Sequence, residues 1–240
     1  MIYVMSDIHG CMDEFKKMLE KIHFSDNDML YIIGDVVDRG PRPIELLQYI
    51  MKHKNMELLM GNHEDMMLSS MVSPYLDKEE REALSVSQKI QSNRQLWVYH
   101  NGGYMTAQQY HELTGEERHE IYDYLVSLDK VKEFELNDEK YLLIHGAPDP
   151  FFEESMKRGN YSTDVLWERI ERWDIDRDLI PGYEIIVGHT PTYHYGQQYE
   201  GKIIRNTHKY LIDCGCVFGY TLGCLCLDTK ETYYIENEEG

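Results

Sequence analysis

Six side chains able to bind a metal ion each follow a short apolar run: Asp7, His9, Asp35, Asn62, His145 and His189. Oxygen and imidazole donors of this kind suit Mn²⁺, Fe or Zn²⁺ and do not suit soft copper sites. A carboxylate shared by two ions holds them about 3.5–4 Å apart, the arrangement used for in-line displacement at phosphorus. Asp35 lies behind the middle of the first three runs and is the expected bridge. Asp7 and His9 share one face of an extended segment and are expected to complete one ion. Asn62, His145 and His189 are expected to complete the other. Two divalent ions, Mn²⁺ in the first instance, are the cofactors this set implies. Taken singly, each residue has an ordinary explanation: a histidine at a strand end is commonly a satisfied polar group, and asparagine after glycine is a turn residue. The information lies in the order: Asp7-x-His9, then Gly34-Asp35-x-x-Asp38-Arg39-Gly40, Gly61-Asn62-His63-Glu64, His145-Gly146 and Gly188-His189-Thr190.

The elements that must position these groups alternate strand and helix. Ile2 to Met5 reads as a strand, after which Met12, Phe15, Met18, Leu19 and Ile22 recur at helical spacing. Met29 to Ile33 is a second buried run. The helix after it opens at Pro41 and Pro43 and turns Ile44, Leu47 and Ile50 inward. Met56 to Met60 is the third run. A repeated βα rhythm predicts a parallel, doubly covered sheet, and ligands then bind beyond the carboxyl ends of its strands. Residues 64 to about 130 read as a polar, helical insertion within one domain spanning 1–240, lying over one side of the sheet. Val131–Leu136 and Lys140–Ile144 flank a hairpin signal at Asn137-Asp138-Glu139. Residues 184–187, 202–205, 209–213, 222–228 and 231–236 complete the strands.

Composition excludes several function classes. The net charge of −19 disfavours extended nucleic-acid binding, although a local pair of cations can invert the field inside one cleft and admit a small phosphorylated ligand. No apolar stretch is long enough to span a membrane. The N-terminus has the pattern of a first strand and lacks that of a signal peptide, so a cytoplasmic protein is expected. Cys214, Cys216, Cys224 and Cys226 form two C-x-C pairs. A zinc site is one reading of them. Packing as small hydrophobes on strand faces is the favoured one, since C-x-C is not the usual zinc spacing.

The motif set resembles the phosphoprotein phosphatase family of calcineurin-like metallophosphoesterases. Ser6-Asp7-Ile8-His9-Gly10, Gly34–Gly40 and Gly61–Glu64 are similar to its three signature motifs. His145-Gly146 and Gly188-His189-Thr190 are similar to its remaining ligand positions, and the resemblance runs from Ile2 to about Asp228. It implies an α/β, four-layer sandwich with two central mixed sheets flanked by helices, and a bridging water or hydroxide as nucleophile. It also implies a general acid at His63, an orienting carboxylate at Asp38 and a phosphate clamp at Arg39. Arg169 resembles a second clamp, the other reading being a helix-surface residue paired with glutamate; Glu64 and Thr190 are expected to support the site without binding metal. Asn101-Gly102-Gly103, followed by Thr106, resembles a turn of small bacterial members that begins a helix. The activity implied is metal-dependent phosphomonoester hydrolysis of the serine/threonine protein phosphatase type, on a phosphorylated protein or small molecule. The alternative is a dinucleoside polyphosphate hydrolase, whose better leaving group needs less protonation and less of Asp38. A catalytically inactive scaffold of the same fold is the alternative from another class, opposed by the intact ligand set.

Overall fold

The computed structural model describes residues 1–238. Its strands follow the apolar runs: β1 (Ile2–Met5), β2 (Met29–Ile32), β3 (Met56–Leu58), β4 (Val131–Leu136), β5 (Glu139–Ile144), β6 (Glu184–Val187), β7 (Ile204–Asn206), β8 (Lys209–Leu211), β9 (Thr221–Cys226) and β10 (Thr232–Glu236). They form two five-stranded sheets, ordered β10-β9-β1-β2-β3 and β4-β5-β6-β8-β7.

Side-chain alternation along the strands explains why there are two sheets. Val4, Tyr31, Ile33 and Leu225 of the first sheet meet Tyr141, Leu143, Ile186 and Tyr210 of the second in a shared core. The intervening residues Tyr3, Met5, Leu30 and Ile32 face the opposite way, toward helices α1 (Met12–Lys21) and α2 (Pro43–Met51). Leu142, Ile144, Ile185 and Val187 of the second sheet turn outward onto a third cluster, which contains Phe152 of α8 (Phe152–Arg158). Strands apolar on both faces need cover on both. Here one cover is the other sheet, giving helix–sheet–sheet–helix. This is the expected sandwich of two central mixed sheets flanked by helices, and the parallel sheet read from the βα rhythm is one part of it. β1, β2 and β3 are parallel, but β9 and β10 join antiparallel beside β1, entering the sheet as a hairpin after β8 of the other one.

The polar stretch after β3 is helical: α3 (Asn62–Ser69), α4 (Lys78–Ser85), α5 (Gln88–Gln95), a π-helical turn Leu96–His100, α6 (Tyr104–Glu112) and α7 (Gly115–Ser127). Met66, Met67, Trp97, Ile121 and Leu125 attach it to the same cluster as α1 and α2. The β4–β5 hairpin turns at Asn137 and Asp138, which have φ of 53° and 64°, the left-handed pair that a two-residue primed turn requires. Among the described residues, no helix is long and apolar enough to cross a membrane.

Candidate active site

Each sheet delivers three consecutive parallel strands to one edge. Asp7 and His9 follow β1, Asp35 follows β2, and Asn62 and His63 open α3 directly after β3. From the second sheet, His145 follows β5, His189 follows β6 and Asp213 lies two residues beyond β8. All of these side chains are buried.

Asp35 is the meeting point. His145 Nε2 lies 3.3 Å from Asp35 Oδ1, while His9 Nε2 and His63 Nε2 lie 3.6 and 3.8 Å from Oδ2. Two buried triples converge closely enough to hold an ion, His9–Asp35–His63 and Asp35–His145–His189, and they share Asp35. Asn62 Oδ1 sits 2.9 Å from His145 Nε2. Asp7 belongs to neither triple; its carboxylate accepts the His189 N–H at 3.0 Å and the Ser6 hydroxyl. His63 was expected as an acid outside the ligand set, yet its Nε2 faces the same volume as the ligands.

The rings are oriented from behind. His9 Nδ1–H donates to Val37 O at 2.8 Å and His145 Nδ1–H to Ile33 O at 2.7 Å. Each Nε2 lone pair is thereby aimed inward, the tautomer a metal ligand needs. Nε2 of His63 and of His189 are buried without a hydrogen-bond partner among the described residues. At His145, Nε2 confronts two acceptors, Asn62 Oδ1 and Asp35 Oδ1, and only a proton or a cation reconciles three converging lone pairs. The donor chemistry, the unpaired nitrogens and this convergence fit a pair of divalent ions.

The electrostatics agree. Burial would raise the Asp35 carboxyl, but His145, His63 and His9 together hold it well below its ordinary value. Burial would lower His145, and the Asp35 and Asp7 carboxylates outweigh it, taking the imidazole up to about 10. Burial, then Arg39 and His63, keeps His9 well below its usual value; burial and His145 take His189 down to about 3. Both are thus neutral, the form that ligates metal.

The backbone that presents these groups is strained. Asp7, His9, Asp35, Asp38, Arg39 and His189 all have positive φ, between 45° and 71°, at a cost of about 1–3 kcal/mol each for residues other than glycine. Glu64 holds the tightest turn. Its carboxylate accepts the N–H groups of Asp35, Val36, Val37 and Gly61 at 2.8–3.2 Å, and burial followed by the Asp35 charge raises it to about 7. Gly34 makes the close approach possible: a Cβ there would stand 2.6 Å from Gly61 Cα and 2.7 Å from His145 Nδ1. At Gly188 a Cβ would fall upon the Ser6 hydroxyl and the Asp7 carboxylate.

Behind His63 stands a second polar cluster. Its Nδ1–H donates to Asp38 Oδ2 at 2.6 Å. Asp38 also accepts from Trp97 Nε1 at 2.7 Å and from Thr106 Oγ1 at 2.6 Å, while Arg39 N–H donates to Gly102 O at 2.9 Å. Hydrogen bonds to a buried charge contribute about 1.5–3 kcal/mol each, so Asp38 and the His63 ring are tightly held. The Asn101-Gly102-Gly103 turn opens α6, whose Thr106 meets Asp38.

In front of the ligands, Arg39 and Arg169 line one cavity of about 470 Å³ together with His189, Tyr193, Phe218 and Trp173. Arg169 lies in an irregular segment after a 3₁₀ turn, which removes the helix-surface reading; its Nη1 donates to Thr190 Oγ1 at 2.9 Å and to His189 O at 3.3 Å. The Arg39 guanidinium touches His9 Nε2 and lies 5.3 Å from the Phe218 ring centroid.

Two residues escape the sequence reading. Asp213 follows an apolar run as the ligands do, but the strand read as 209–213 absorbs it, whereas β8 ends at Leu211. Trp97 sits in a stretch with no motif, and its bond to Asp38 is a tertiary contact. The C-x-C zinc reading is not assembled. Cys224 and Cys226 face the α1 cluster, and among the described residues only Cys216 of the four joins a metal-capable group, with Cys11 and Glu14.

Strand-end groups able to bind metal, gathered around one aspartate between two stacked sheets, define a class: residues 1–219 match the calcineurin-like phosphoesterase family, and the chain belongs to it. It is an enzyme family of metal-dependent phosphoesterases. Among curated proteins the chain is similar to symmetrical bis(5'-nucleosyl)-tetraphosphatases. That of Buchnera aphidicola from Schizaphis graminum is 45% identical over 65 residues, covering 26% of this chain and 24% of the relative. That of Wigglesworthia glossinidia brevipalpis is 47% identical over 64 residues, with 26% and 24% covered. The chain thus spans about a quarter of the length of those relatives. Among solved structures, one provisionally named a diadenosine tetraphosphatase superposes with a TM-score of 0.65 at 15% identity, covering 100% of this chain and 94% of the other. A metallophosphoesterase from Sphaerobacter thermophilus superposes with a TM-score of 0.55 at 18% identity, covering 99% and 87%. At such identities the superpositions establish the fold.

Proposed function

We propose that the protein hydrolyses a dinucleoside polyphosphate, with two divalent ions at the shared-aspartate site. The observation that carries this reading is the cavity in which Arg39 and Arg169 lead from the ligands to the aromatic side chains of Tyr193, Phe218 and Trp173. Guanidinium groups suit phosphate oxygens, and the exposed rings of Phe218 and Trp173 beside them suit a purine. The tetraphosphatase relatives point the same way.

Asp35 would be held in common, with Asp7 and His9 completing one ion and Asn62, His145 and His189 the other; bound there, the ions supply Lewis acidity and an activated water. Mn²⁺ is the proposed ion, with Fe or Zn²⁺ compatible with the same donors. The chain's own groups do the rest. Arg39 and Arg169 bind the phosphoryl oxygens and orient phosphorus. His63 delivers a proton from Nε2 to the departing oxygen as the P–O bond breaks, while Asp38 holds its Nδ1–H. Trp97 and Thr106 keep Asp38 from turning away.

A second reading is favoured by that same dyad. A firmly held His63–Asp38 pair suits poor leaving groups, such as the alkoxides of phosphoserine and phosphothreonine. The test measures phosphate or nucleotide release from diadenosine tetraphosphate and from a phosphoserine peptide side by side, with Mn²⁺ and with EDTA. Faster Mn²⁺-dependent cleavage of the dinucleotide is expected. Faster turnover of the peptide would keep the site chemistry and replace the substrate.

A further inference from the structure

Cys11, Glu14 and Cys216 form a third metal-capable group, in which the two thiols and the carboxylate lie within 4.8 Å of one another. They come from distant parts of the chain. Cys11 precedes α1, Glu14 lies in its first turn, and Cys216 begins the short turn that carries Phe218. All three are buried, Glu14 to 7% exposure. Among the described residues Glu14 accepts no hydrogen bond and forms no ion pair, and the cation nearest it in charge, Arg42, is engaged by Asp13 and Glu45. The Glu14 oxygens are not among the buried polar atoms left without a partner, so they keep contact with solvent and are free to turn to an ion. With the buried sulfurs of Cys11 and Cys216 beside it, the set has the donor chemistry of a zinc site.

We propose that Cys11, Glu14 and Cys216 bind one thiophilic divalent ion, Zn²⁺ by its preference for sulfur and oxygen donors, at a site separate from the phosphoesterase centre. Each thiol releases its proton to solvent on coordination, and the fourth tetrahedral position is left to water. The site ties the segment after His9 to the turn bearing Phe218, against which Arg39 rests. It therefore braces the turn that carries Phe218, one wall of the substrate cavity. The assignment is independent of the substrate chosen above.

The donor chemistry makes a clean test. The phosphoesterase centre offers only nitrogen and oxygen, so a thiolate-to-metal charge-transfer band in the near ultraviolet of the full-length, Co²⁺-loaded protein reports on sulfur ligation alone. The band is expected in the wild type, together with one more equivalent of bound Co²⁺ than in Cys216→Ser. Glu14→Gln is expected to weaken this one ion by roughly 10–100-fold. Because a cysteine variant can fail to fold, thiol labelling of the wild type serves as the second measurement. Zn²⁺ at ten times its dissociation constant should slow alkylation of Cys11 and Cys216 about tenfold and leave the slow rate of the core thiol Cys224 unchanged. A Co²⁺-saturated wild type without the band, a band that survives in the Cys11→Ser/Cys216→Ser double variant, or labelling indifferent to Zn²⁺ would each overturn the proposal.

Discussion

The two sheets reach the active site in opposite ways. The first presents its side chains from a strained backbone: Asp7, His9, Asp35, Asp38 and Arg39, all in loops leaving β1 and β2, adopt left-handed conformations. The second presents them from a mostly relaxed one. His145 and Asp213 leave their strands with ordinary φ, and only His189 is left-handed. The first half thus depends on supports such as Glu64 and Gly34, which hold a strained turn. The second needs little more than strand register and a hydrogen bond from His145 to Ile33. Asp35 belongs to both halves, so it is where they are separated or shown to be one unit.

The largest effect is expected at that residue. Asp35→Asn should empty both metal positions and lower kcat by about 10³-fold or more, since the lost charge stabilisation amounts to several kcal/mol. His9→Ala and His189→Ala should each release one ion and retain the other, measured by metal analysis after desalting. If either histidine variant loses both, the halves are not independent.

Next comes His63. Its replacement by Asn should slow alkyl phosphomonoesters by about 10²–10⁴-fold and phosphoanhydrides by far less. Equal losses on both substrates would place His63 among the ligands and not as the proton donor. Trp97→Phe removes one donor to Asp38 and should reduce kcat on alkyl esters about tenfold, with KM little changed. A change confined to KM would mean that the indole serves packing alone.

The smallest effect lies at the opposite end of the second sheet. His208 Nδ1 is 2.6 Å from Glu184 Oε1, the same separation as in His63–Asp38, but His208 is exposed to water. Its hydrogen bond to Glu184 raises it above its ordinary 6.5. A raised histidine contributes stability that is complete below pH 6.5 and is lost as the pH rises through the higher folded value. Glu184→Gln should therefore lower Tm slightly at pH 5.5 and leave it unchanged at pH 8.5. A larger loss at the alkaline end would show that the pair is not what matters there.

Much of the site is legible in the sequence because strand ends have a signature. An apolar run stopped by Asp-x-His, Gly-Asp or Gly-His places the residue type and the position together, and the six candidate ligands come from five such runs. The two-sheet architecture is less so. Period-2 patterning shows that both faces of a strand are covered, as in Tyr3 to Met5, without showing whether helix or sheet covers them. Trp97 is not legible, since its bond to Asp38 spans 59 positions. Asp213 was within reach, and a strand drawn two residues too long hid it. Leaving-group preference depends on loops such as 171–178 and 193–195, where neither periodicity nor spacing reports the shape of a cavity.

Gly34 and Gly188 bear on how such an enzyme changes over generations. At Gly34 the close neighbour is the backbone of Gly61, so that spacing is machined into the chain, whereas at Gly188 the neighbours are the Ser6 and Asp7 side chains. A methyl group at Gly34 would act as a shim between Gly61 and His145, and one at Gly188 would displace Ser6 and Asp7. Novelty has to enter from the rim, through Trp173, Tyr193 and Phe218, while the gauge between the sheets stays as it is.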